Sequence, residues 1–96
     1  MHNYELINDT EKSQYEFQIG KHVAKIEYTI NDQKEILLTH TEVPAALEGK
    51  GVGTQLVEAV LTDIEHNGLQ LVPLCPFVIR YIEKHPEWRR LVVKKV

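Results

Sequence analysis

Leu47-Glu48-Gly49-Lys50-Gly51-Val52-Gly53-Thr54 is the stretch from which the rest of the chain can be read. Three glycines within five residues stand just before an apolar stripe at helical spacing, formed by Leu56, Val57, Val60, Leu61 and Ile64. Glycine there costs conformational entropy unless the backbone must bend sharply or something must approach it closely. The first amides of a helix have no intrahelical partner and carry the positive end of its dipole, so a phosphate suits them. A plain bend without a ligand is the competing explanation. Two familiar phosphate motifs do not fit. A mononucleotide loop needs Gly-Lys followed by Ser or Thr, whereas Lys50 precedes Gly51-Val52-Gly53. A dinucleotide fingerprint belongs to a βαβ unit with an acidic residue closing the next strand, and here that strand leads to Cys75-Pro76.

Working outward, the residues before the turn have the period of strands. Tyr15, Phe17 and Ile19 alternate with polar residues, as do Ala24, Ile26, Tyr28 and Ile30, with Gly20-Lys21 as the hairpin turn between them. Asn31-Asp32 marks a second turn, and a strand from Glu35 to Val43 is closed by Pro44. After the turn the helix ends at Asn67-Gly68, and Leu69–Leu74 is a short buried strand. A second helix starts at Pro76, carries Phe77, Val78, Tyr81 and Ile82, and stops before His85-Pro86. Trp88–Val93 is expected to be a last strand. The order is β-β-β-β-α-β-α-β, an α+β sheet with helices packed on it.

Composition sets further bounds. Ninety-six residues with 43% apolar and 26% charged side chains are expected to form one domain over 1–96, with an ordinary globular core. No apolar run approaches the roughly 20 residues of a membrane span, and Met1–Glu5 does not open a signal peptide. A lone cysteine, Cys75, makes no internal disulfide, so a cytoplasmic location is expected. The net charge of −3 is uneven: residues 80–96 carry +4, and residues 1–79 carry −7. So acidic a body argues against nucleic acid as a partner, while the basic end suits either a small polyanion or plain solvation.

Glycine turn, helix, strand and second helix after a β-meander resemble the core of the GNAT N-acetyltransferases. The signature of that superfamily is Gln or Arg, two residues, Gly, one residue, then Gly or Ala. Gly51 and Gly53 match it, with Glu48 standing at the Gln/Arg position. Val72-Pro73-Leu74-Cys75 and His85-Pro86-Glu87-Trp88 are similar to segments of the minimal, single-domain GNAT-like proteins often called the YjdJ type. The resemblance implies acetyl-coenzyme A as co-substrate and a small-molecule or protein amine as acceptor; that no metal takes part is expected from the residue spacing given below. It implies that Val43 meets the pantetheine arm and that Gly49, Lys50, Gly51, Val52, Gly53 and Thr54 wrap the pyrophosphate. It also implies Cys75 and His40 as catalytic residues.

The residues themselves leave these roles open. Cys75 precedes a helix N-terminus, which favours a thiolate able to accept an acetyl group, yet a free cysteine is often simply a small buried hydrophobe. His40 is in phase with Ile36 and Leu38, so it is expected to face the apolar layer, either as a base or as a satisfied core residue. Tyr81 suits a proton donor or a buried aromatic. The histidines have no metal-ligand spacing with one another or with Cys75. The expected function is therefore an acetyl-coenzyme A-dependent N-acetyltransferase, possible transfer through a cysteine thioester included. The alternative is a non-enzymatic coenzyme A-binding module, since so short a chain has little left with which to build an acceptor pocket.

Overall fold

A computed structural model describes residues 4–93. Its five-stranded sheet has the order β1 (Ile7–Asp9), β2 (Gln14–Ile19), β3 (His22–Ile30), β4 (Glu35–Glu42), β5 (Gln70–Pro73). The first three pairings are antiparallel and β4–β5 is parallel. A 3-10 turn, Ala45–Leu47, and α1, Val52–His66, connect β4 to β5, and α2, Pro76–Lys84, follows. This is the expected α+β architecture, with the three-residue β1 completing the meander.

Period-two alternation brings Tyr15, Phe17, Ala24, Ile26, Tyr28, Ile36 and Leu38 to one face, all of them buried. The α1 stripe Leu56, Val57, Val60, Leu61 and Ile64 covers that face and is wholly withdrawn from water. Each such aliphatic side chain contributes about 1.5–3 kcal/mol of transfer free energy, so this contact is a major source of stability for the fold. The Tyr15 hydroxyl donates to Asp63 of α1 at 2.7 Å, fixing the helix along the sheet as well as against it.

Two features of β4 shape what lies beyond it. First, Glu27 pairs with His40 while Tyr28 pairs with Leu38, which leaves Thr39 as an extra residue in a β-bulge. Its hydroxyl donates to the Glu27 carbonyl at 3.2 Å. The extra residue inverts the alternation, so that after Leu38 it is Thr41 and Val43 that face the helices. Second, the β4–β5 ladder stops at Leu38 and Pro73. The Leu38 carbonyl accepts from both the Leu74 and Cys75 amides, at 3.1 and 3.0 Å, and from that point the strands part. β4 runs on to Glu42 beside β3, while β5 turns into α2.

The expected strand over Trp88–Val93 is not formed. Pro86–Leu91 is a 3-10 helix, with the Trp88 amide on the His85 carbonyl at 3.1 Å. Pro86 supplies the fixed φ of a first turn, and Arg90 is held by Glu65. Among the described residues of this segment, Val92 forms a single parallel bridge to Leu71, and the Val93 amide donates to the Leu71 carbonyl at 2.9 Å.

Candidate active site

Where β4 and β5 part, a cavity of about 540 Å³ opens between the end of β4, the glycine turn and the first turn of α2. Val43, Gly49, Gly51, Val52, Gly53 and Thr54 line it, together with Thr41, Glu42, Leu47, Glu48 and Phe77; Lys50 lies outside the lining. Two glycines have separate physical reasons. Gly51 caps α1 in the left-handed conformation, φ +75°, where a side chain is strained even though the space is open. Gly53 has ordinary helical φ, but a Cβ there would stand 2.7 Å from the Phe77 ring and 3.3 Å from Val43 Cγ2. Its role is to let α1 approach α2 and the end of β4.

The first bond inside α1 runs from the Gln55 amide to the Gly51 carbonyl at 3.0 Å. The amides of Val52, Gly53 and Thr54 therefore have no intrahelical partner, and no side chain caps them. Three adjacent donors at the positive end of a 15-residue helix, on a cavity wall, make an anion cradle.

Cys75 is the N-cap of α2 and is only 5% exposed. Its Sγ lies 3.1 Å from Thr41 Oγ1, so the thiol donates to Thr41, and a thiolate would accept from it. Burial pushes the thiol up, but hydrogen bonds from the Thr41 hydroxyl and from the backbone of Val78, Phe77 and Thr41 outweigh it, leaving the pKa below its ordinary value. Thr41, which sequence periodicity gave no role, thus bridges Cys75 and the cavity.

His40 is not in the apolar layer that its phase with Ile36 and Leu38 predicts. The bulge at Thr39 turns it to the face of the sheet opposite the helices, where its side chain is 55% exposed and stands 3.5 Å from Glu42. Tyr81 is buried, donates to Glu58 at 3.3 Å and stacks on His85 with ring centroids 4.3 Å apart. Burial first, and then the Glu58 carboxylate, raise its pKa, so it holds its proton as a packed structural tyrosine.

The model of the GCN5-related N-acetyl-transferases matches residues 14–91, most of the chain. The chain belongs to this family. Protein NATD1 of Xenopus tropicalis is 29% identical over 63 residues, which make up 66% of this chain and 58% of that protein. The chain thus spans less than two thirds of the length of that relative. The solution NMR structure of a GCN5-like protein from Staphylococcus aureus superposes with a TM-score of 0.72 at 26% identity, covering 100% of this chain and 94% of that one. The donor set is of a kind that would suit a pyrophosphate-bearing acyl carrier: bare amides on one wall for anionic groups, and the apolar side chains of Val43, Leu47 and Phe77 for an uncharged arm. No helix among the described residues is long and apolar enough to cross a membrane.

Proposed function

We propose that the chain transfers the acetyl group of acetyl-coenzyme A to an amine through a thioester on Cys75. The observation that carries this reading is the continuity of one cavity from the bare amides of α1 to Thr41, which holds the Cys75 sulfur at 3.1 Å. The amides of Val52, Gly53 and Thr54 bind the pyrophosphate, and Val43 lies along the pantetheine arm. Bound acetyl-coenzyme A supplies an activated acyl carbon.

The Cys75 thiolate attacks that carbon, the bond from the carbon to the coenzyme sulfur breaks, and the coenzyme leaves as a thiolate that takes a proton from solvent. The amine then attacks the Cys75 thioester. The amide forms, and the Cys75 sulfur departs as a thiolate, stabilised by the Thr41 hydroxyl and the amides at the start of α2. His40 is assigned the proton released by the amine. Its exposure beside the parting strands supports this, with the amine arriving from the open face of the sheet.

The test is mass spectrometry of the Cys75 peptide after incubation with acetyl-coenzyme A, alongside release of free thiol across a panel of amines. Acetylated Cys75 is expected, together with turnover that Cys75→Ala lowers by several orders of magnitude while its stabilisation by coenzyme A persists. His40→Ala should slow amine turnover and spare acetylation of Cys75. Unmodified Cys75 with full turnover by Cys75→Ala would refute the thioester in favour of direct transfer. Stabilisation by coenzyme A with no turnover at all would make the chain a binding module.

A further inference from the structure

A second hollow, about 160 Å³ in volume, adjoins the cavity and shares Thr54 and Phe77 with it. Its other walls are Arg80, Tyr81 and Lys84. Arg80 and Lys84 stand one turn apart on α2, both exposed, and neither is in an ion pair among the described residues. Like charges at this spacing repel and gain nothing from the fold itself. The neighbouring carboxylate, Glu58, accepts the hydroxyl of Tyr81. In a protein with a net charge of −3, the two free cations and the N-terminus of α1 converge on one concave surface. That surface suits a ligand with two separate anionic groups. Coenzyme A is such a ligand: besides its pyrophosphate it carries a phosphate monoester on the ribose.

We infer that Arg80 and Lys84 form a subsite for the ribose phosphate monoester and make the chain select coenzyme A over its 3′-dephospho form. The inference rests on the coenzyme A reading given above. Thr54 joins the two subsites, because its amide belongs to the pyrophosphate cradle and its side of the helix borders the cationic hollow. Two flexible cations above a dianion need no rigid geometry, so the subsite can sit at the rim of the cavity.

Isothermal titration calorimetry of the full chain with coenzyme A and with 3′-dephospho-coenzyme A tests this without relying on catalysis. Wild type should prefer coenzyme A by about tenfold, the scale expected of two partly solvated charge contacts, and added salt should shrink the difference. In Arg80→Gln/Lys84→Gln the preference should fall to near parity through weaker binding of coenzyme A alone. Lys21→Gln, which removes an exposed cation from the β2–β3 turn, should leave the preference unchanged. Equal binding of both ligands by wild type would overturn the inference while leaving the coenzyme reading intact. So would a preference that survives in the double variant, or one that Lys21→Gln also erases. Binding of neither ligand would overturn both.

Discussion

At Cys75 two opposing effects act on one sulfur atom. Burial at 5% exposure disfavours the thiolate, and the hydrogen bonds from Thr41 and from the first turn of α2 favour it more strongly. The folded thiol therefore titrates below its ordinary value, and alkylation by iodoacetamide should reach half its maximal rate at a lower pH in the native chain than in urea. Thr41→Val keeps the volume and the burial but removes the hydroxyl, so that midpoint should move upward. The linkage has the same sign. A depressed folded pKa contributes stability that is fully present above the unfolded pKa and is lost as pH falls through the folded one. The stability gap between wild type and Thr41→Val should accordingly widen towards alkaline pH in urea titrations. An alkylation midpoint unmoved by Thr41→Val would show that the backbone amides alone set the thiol.

Among the elements, β4 is where sequence and structure separate most instructively. The α1 stripe, both helix ends at Asn67-Gly68 and His85-Pro86, and the β2–β3 hairpin were all readable, because apolar period and turn chemistry agree at those places. The bulge was not, since Thr39, His40 and Thr41 are all polar and carry no apolar beat to show the inversion. One signal was available: Leu38 and Val43 both face the helices, yet they stand five positions apart, an odd spacing that an unbroken strand cannot give. Thr41 and Phe77 went unassigned for the same reason, as a site residue that acts through geometry has no motif. Trp88–Val93 misled by composition, its β-formers being folded into a 3-10 turn behind Pro86. Deleting Thr39 should remove the bulge and its local bend while the pairings of Glu27 with His40 and Ile26 with Thr41 persist, so His40 stays on the open face and Thr41 on the helix face. The expected result is a folded chain destabilised by about 1–3 kcal/mol, in which the unbent end of β4 alters the cavity wall and coenzyme A raises the melting temperature less than in wild type. Full retention of that stabilisation would show that the bulge does not shape the site.

For the whole molecule, the sheet order leaves β1 and β5 as its two borders. β1 is only three residues long and offers little to pair with. β5 is protected differently: Pro73 has no amide to donate, and the chain returns after α2 so that Val92 bridges Leu71 and the Val93 amide takes the Leu71 carbonyl. Val93→Pro removes that donor without touching the cavity or Cys75, so binding of coenzyme A should be unaffected. Static light scattering on warming should nevertheless show an earlier onset of self-association than in wild type; an unchanged onset would mean that Pro73 alone is sufficient protection. The one-residue bridge that replaces the expected last strand thus has a colloidal consequence. A full sixth strand would have presented a fresh row of amides and carbonyls to the next molecule, whereas the tight turn behind Pro86 closes the border and keeps neighbouring copies from adding to it.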